Sequence, residues 1–97
     1  MDDLSPTEFY LFQNYPNPFT EKTTIKYCIA YKTKVTLTVF NSEGEMIEKL
    51  VDEIKEAGTY KTEFKPAISS GQFTNGNYLY WLEAGNYKSN KEMLLER

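Results

Sequence analysis

The sequence contains no histidine. Imidazole-dependent triads, proton shuttles and histidine-ligated metal sites are therefore excluded. Its single cysteine, Cys28, rules out an internal disulfide and a Cys-rich zinc site. A lone cysteine inside a strand-like run reads as a small packed hydrophobe rather than a nucleophile. No apolar run approaches the ~18 residues that a spanning helix requires, so the chain is not expected to be membrane-spanning. The 11 Lys and Arg are outnumbered by 14 Asp and Glu, for a net charge of −3. Such a chain has no electrostatic reason to bind a phosphate backbone, and no nucleic-acid role is expected. The opening residues, Met1-Asp2-Asp3-Leu4-Ser5-Pro6, have neither a basic n-region nor an apolar h-region. Either the chain stays inside the cell or it is a piece of a longer precursor.

What is present points to β structure. Eight Tyr, six Phe and one Trp in 97 residues are residues that favour strands. The length suits one domain, and a 40% hydrophobic, 26% charged composition suits a folded rather than a disordered chain. Short alternating runs recur between turn signals, as in a sandwich or barrel. The first, residues 8–13, stops at Asn14-Tyr15-Pro16-Asn17-Pro18-Phe19, where two prolines remove two backbone donors and hold Asn17 extended. In residues 23–30, Ile25, Tyr27 and Ile29 share one face. In residues 34–40, Val35, Leu37 and Val39 alternate with Thr36 and Thr38, the cleanest period-2 stretch.

Asn41-Ser42-Glu43-Gly44 reads as a hairpin connection, with Gly44 free to take positive φ. Residues 45–51 follow as a fourth strand, although Met46, Ile47, Leu50 and Val51 are also spaced like a helix face. An acidic link is expected over residues 52–56, ending at Ala57-Gly58. Tyr60, Thr62 and Phe64 then alternate with Lys61, Glu63 and Lys65. Residues 66–76, with Ser69-Ser70-Gly71 and Asn75-Gly76, are expected to cross between sheets. Residues 77–84 and 87–96 make a final hairpin around Gly85-Asn86, a type II′ signal. The expected fold is therefore all-β, an immunoglobulin-like antiparallel β-sandwich of about seven strands, preceded by a short linker over residues 1–8.

No catalytic constellation emerges. The closest carboxylate clusters, Glu43 with Glu45 and Asp52 with Glu53 and Glu56, lack a pocket that would split their pKa values and do not match an EF-hand loop. No glycine-rich loop opens a helix to hold phosphate. No enzyme activity, cofactor or metal is expected. Tyr78 and Tyr80 read as core, whereas Trp81 and Tyr87 are candidates for an exposed contact.

Several segments carry a family resemblance. They are Gln13-Asn14-Tyr15-Pro16-Asn17-Pro18-Phe19, Thr23-Thr24-Ile25-Lys26-Tyr27, and Val35 to Asn41 with Gly44. Further on come Ala57-Gly58-Thr59-Tyr60, Asn75-Gly76-Asn77-Tyr78-Leu79-Tyr80, Leu82-Glu83-Ala84-Gly85 and Lys91-Glu92-Met93-Leu94-Leu95. In this order, over residues 9–97, the chain resembles the C-terminal sorting domain, type A, of type IX (Por) secretion substrates in the Bacteroidetes–Chlorobi lineage. Related Ig-like domains occur in the flagellar hook-capping protein. The resemblance implies a non-catalytic address at the C-terminus of an exported cargo. An outer-membrane translocon would read it after passage into the periplasm, and a cell-surface sortase would then remove it. The cargo would be left attached to lipopolysaccharide or released, so the implied location is secreted or cell-surface.

Under that resemblance Lys91, Met93, Leu94, Leu95 and Arg97 are the candidate translocon contacts, with Leu94 as an outward apolar anchor. The last strand, next to a free end, is expected to offer its edge by β-augmentation. The plainer reading is that Met93 and Leu95 finish the core. Pro16, Asn17, Pro18, Gly44, Gly58, Gly76, Tyr78 and Gly85 are structural motif residues, the proline box fixing the crossover after the first strand. A monomer is expected. The competing function is an Ig-like cell-surface binding module for carbohydrate or protein, and a third is an assembly role like that of the hook-capping domain.

Overall fold

Between Thr23 and Ile29 every second side chain is buried: Thr23, Ile25, Tyr27 and Ile29 are all within 1% of full burial. The same alternation seals Val35, Leu37 and Val39, then Tyr78, Tyr80, Leu82 and Ala84. Period-2 burial of this kind forces extended chains to pair and to cover one face. The computed structural model describes residues 8–66 and 74–96, and shows seven strands and no helix among them. These are β1 (Tyr10–Leu11), β2 (Thr23–Ile29), β3 (Thr33–Phe40), β4 (Met46–Lys55), β5 (Gly58–Phe64), β6 (Gly76–Ala84) and β7 (Tyr87–Leu95).

The strands form two antiparallel sheets, β1-β2-β5 and β4-β3-β6-β7, whose inner faces meet in a single sandwich core. The core joins Leu11, Tyr27 and Phe64 of the smaller sheet to Leu37, Tyr80 and Leu82 of the larger. Each fully buried aliphatic or aromatic side chain in such a core contributes about 1.5–3 kcal/mol. The chain passes from the smaller sheet to the larger between β5 and β6, as expected of the 66–76 connection. Residues 67–73 of that connection lie outside the described residues, as do residues 1–7 of the expected linker.

Local chemistry explains the turns. Asn41 Oδ1 accepts hydrogen bonds from the backbone N–H groups of Glu43 and Glu45, both at 2.9 Å. Gly44 completes that β3–β4 hairpin at φ 86°, a left-handed conformation that favours glycine. At the β6–β7 hairpin Gly85 has φ 61° while Asn86 stays at negative φ, which is the type II′ geometry. The Tyr78 hydroxyl donates to the Thr74 carbonyl at 2.7 Å, and accepts from its N–H at 3.0 Å. A tyrosine at the start of its strand bonding back upstream is the tyrosine corner of immunoglobulin-like sandwiches.

Two expectations need correction. The acidic stretch 52–56 is not a link: β4 runs on to Lys55, pairing Asp52 with Thr36 and Glu53 with Val35. Asp52 lies outward on an edge strand, where Lys34 and Lys49 approach it at 3.3 and 3.6 Å. The hydrogen bond and charge of Lys34 hold the Asp52 carboxyl below its ordinary range, with Lys49 adding to the effect. Charge and irregularity on an edge strand discourage pairing with another chain. The helix-like spacing of Met46, Ile47, Leu50 and Val51 has a related origin. The β3–β4 register shifts between Leu37 and Thr38, and again between Val39 and Phe40, and each shift breaks the simple alternation. The first run is also shorter as a strand than expected, with ladder pairing confined to Tyr10 and Leu11.

Candidate recognition surface

The proline box does more than turn the chain. Pro16 and Pro18 cannot donate, so the segment must satisfy its surroundings through carbonyls and side chains. Asn14, only 2% exposed, donates from Nδ2 to the Pro16 carbonyl at 3.2 Å and to Thr23 Oγ1 at 2.9 Å. Thr23 Oγ1 in turn donates to the Pro16 carbonyl at 2.8 Å. The Tyr80 hydroxyl donates to the Phe12 carbonyl at 2.7 Å, and Phe19 drops its ring into the core at 1% exposure.

Held this way, residues 13–19 lie along the outer edge of β7. The Phe19 N–H donates to the Leu94 carbonyl and the Glu96 N–H to the Phe19 carbonyl, both at 2.9 Å. The Leu94 N–H donates to Asn17 Oδ1 at 2.9 Å, and Gln13 Nε2 donates to the Glu92 carbonyl at 2.7 Å. Four hydrogen bonds thus stitch the terminal half of β7 to the box, with Phe19 and Leu95 in a parallel bridge. The edge that was expected to accept a partner strand is already occupied at Glu92, Leu94 and Glu96. Among the described residues, the outward backbone groups of Lys88 and Asn90, further back on β7, have no such stitch.

The candidate contact residues separate accordingly. Met93 and Leu95 face inward, 1% and 0% exposed. Lys91 pairs with inward-facing Tyr80, and Leu94 with outward-facing Asn77; both are half-buried. Arg97 lies outside the described residues. Leu94 faces an open groove of about 560 Å³, walled by Gln13 and Asn17 on one side and by Asn77 and Leu79 on the other. Lys91 borders it from a position whose side chain shares the face of Tyr80 and Met93. Gln13 was not among the candidate residues, and Asn17 was expected only to shape a turn. The sequence signal for Asn17 is an amide set between two prolines that cannot donate; Gln13 carries no such signal.

Trp81 and Tyr87 are both half-buried rather than exposed. Tyr87 stacks on Phe9 at 5.5 Å, and Trp81 meets Phe40 edge-on at 6.4 Å. Cys28 is half-buried, its sulfur 3.6 Å from Thr59 Oγ1. Among the described residues no three His, Cys, Asp or Glu side chains converge as a metal site requires. No helix among them is long and apolar enough to cross a membrane.

A family model described as the secretion system C-terminal sorting domain matches residues 13–96. The chain belongs to this family. The match to the type IX sorting domain starts at Gln13 and ends at Glu96, so it takes in both sides of the stitch between the box and β7. The all-β sandwich expected from the resemblance is the fold of this sorting domain. No curated protein and no solved structure matches the chain.

Proposed function

We propose that this sorting domain is a non-catalytic address that directs an upstream cargo through the type IX system to the cell surface. It is read at the groove where β7 meets residues 13–19, and a surface sortase then cuts it off. The observation that carries this reading is the family match over residues 13–96, whose ends coincide with the two partners of the stitch. With the terminal edge of β7 occupied, the translocon component meets side chains: Leu94 from the strand and Gln13 and Asn17 from the box, with Lys91 presented on the other face of the same strand. Arg97 belongs to the same signal. Met93 and Leu95 support it from the core.

The test is export of a reporter fused upstream of the domain in a type IX-competent host. Deleting residues 91–97 is a poor test, because it removes Met93 and Leu95 from the core and unfolds the domain. Leu94→Ser changes the groove and Lys91→Gln the other face of β7, and both leave Met93 and Leu95 in the core. Reporter export is expected with the wild-type domain and is expected to fall in the double variant, at unchanged thermal stability. Undiminished export by a folded double variant would remove the groove from the mechanism.

A further inference from the structure

The outer face of the three-stranded sheet has no place in the sorting reading, yet its side chains are arranged like a ligand platform. Burial of Leu11 turns its neighbours Tyr10 and Phe12 outward, and the bridge from Tyr15 to Thr24 turns Tyr15 outward as well. Tyr10 and Tyr15 are 51% and 80% exposed. Phe12 lies between them, with the Tyr10 ring edge-on at 4.7 Å and Lys26 Nζ at 4.8 Å from its centroid. Beside this column, Lys26 and Lys61 are direct cross-strand partners. Like charges placed opposite one another in a sheet are destabilising. Neither lysine makes an ion pair among the described residues, whereas Lys22, Lys32, Lys34, Lys49, Lys55 and Lys88 each do. Glu63, on the same face by register, is engaged by Lys22 at 3.5 Å. In a chain of net charge −3, a lysine pair without an ion-pair partner among the described residues, set against three aromatic rings, is complementary to an anion that also carries apolar surface.

We propose that this face binds an acidic carbohydrate, a sugar chain bearing carboxylate or phosphate groups, between the Tyr10–Phe12–Tyr15 column and the Lys26–Lys61 pair. A sugar ring shows a C–H face that packs on aromatic rings and a rim of hydroxyls that needs donors and acceptors. The phenol groups of Tyr10 and Tyr15 and the hydroxyl of Thr24 supply these, and the lysines take the acidic groups. A hollow of about 350 Å³, lined by Phe12, Gln13, Tyr15, Thr24, Lys26 and Lys61, is open to solvent and of a size that a small ligand fills. An acidic peptide fits less well. β2 is paired on both sides, by β1 and β5, so at Lys26 in the middle of the sheet a peptide finds no open backbone for strand addition.

The experiment titrates the isotope-labelled chain with a galacturonic acid oligomer, followed by backbone amide shifts. A neutral galactose oligomer and a polyglutamate peptide serve as comparisons. Saturable binding of the uronic oligomer is expected, with shifts centred on Tyr10, Lys26 and Lys61 and affinity that weakens with added salt. Lys26→Gln with Lys61→Gln is expected to weaken binding about tenfold. Tyr15→Ala with Tyr10→Ala, which alters only exposed rings, is expected to weaken it also. Failure of the uronic oligomer to bind, equal binding of the neutral oligomer or of polyglutamate, or unchanged affinity in folded lysine variants would each overturn the assignment. None of these outcomes bears on export of a cargo.

Discussion

Asn17 Oδ1 accepts a hydrogen bond at 2.9 Å from the backbone N–H of Leu94, 77 positions further along the chain. The bond joins the two segments that define the sorting domain at its ends, and it occupies a backbone group that an edge strand would otherwise present. With the Phe19 bonds to Leu94 and Glu96, it makes the terminal peptide part of the sheet's closure rather than a loose end.

Replacing Asn17 with Ala removes that acceptor and is expected to destabilise the domain by about 1 kcal/mol. For a domain of this size the loss lowers Tm by about 4–8 °C. Asn17→Asp retains an oxygen at the same place and should recover most of the difference. Thermal melting of the three proteins, together with hydrogen exchange at the Leu94 amide, checks this. An Ala variant that melts with the wild type and protects that amide equally would show that the stitch contributes nothing.

Gly44 offers a cleaner test of backbone strain. A Cβ added there would meet nothing within 4 Å, yet φ is 86°. Any cost of Gly44→Ala is therefore conformational, and about 1–2 kcal/mol is expected. Asn tolerates the left-handed region better than Ala, so Gly44→Asn should cost less. Denaturant titration gives both values, and equal stability of the Ala variant and the wild type would contradict the turn assignment.

Much of this architecture was legible in the residues. Val35, Leu37 and Val39 alternate with threonines, and hydrophobic burial on one face leaves an extended chain no other choice. Gly85 before Asn86 marked the hairpin because only that order suits a type II′ turn. Other features were not local. The acidic stretch 52–56 reads as a link because a strand needs a partner, and β4's partner is set by a hairpin whose register shifts twice. The dual role of the proline box depends on β7 lying beside it, a neighbour far away in sequence. The groove around Leu94 was hidden for the same reason: it has two walls, and the residues of one are early in the chain and those of the other late.

Trp81 provides a third measurement. Its Nε1 is buried with no hydrogen-bond partner among the described residues, and an unsatisfied buried donor costs about 1–3 kcal/mol. Trp81→Phe removes that donor and keeps an aromatic ring against Phe40. The loss of ring area and the relief of the orphan N–H oppose each other, so the net change is expected to stay within about 1 kcal/mol. Trp81→Ala, which forfeits the half-buried ring as well, should be less stable than the Phe variant by about 1–2 kcal/mol. Denaturant midpoints that place the Phe variant as low as the Ala variant would mean that Nε1 does find a partner.

The alkaline limit of the fold rests on two core phenols. Burial pushes Tyr27 from the usual 10.0 up to about 12, with Tyr60 and Glu53 adding to the shift. Burial does the same to Tyr80, also to about 12. Below pH 10 both groups keep their protons in the folded and the unfolded chain, and stability does not depend on them. Above pH 10 the unfolded chain loses these protons while the folded one retains them, so stability falls until the folded phenols ionise near pH 12. Tyr80→Phe loses the bond to the Phe12 carbonyl and should be less stable than the wild type by about 1 kcal/mol at pH 7. It also loses one of the two alkaline penalties, so its deficit should shrink or reverse by pH 11. Lysine deprotonation is common to both proteins and cancels in the difference. Denaturant titrations at the two pH values decide the matter, and a deficit of equal size at both would show that Tyr80 does not titrate with unfolding.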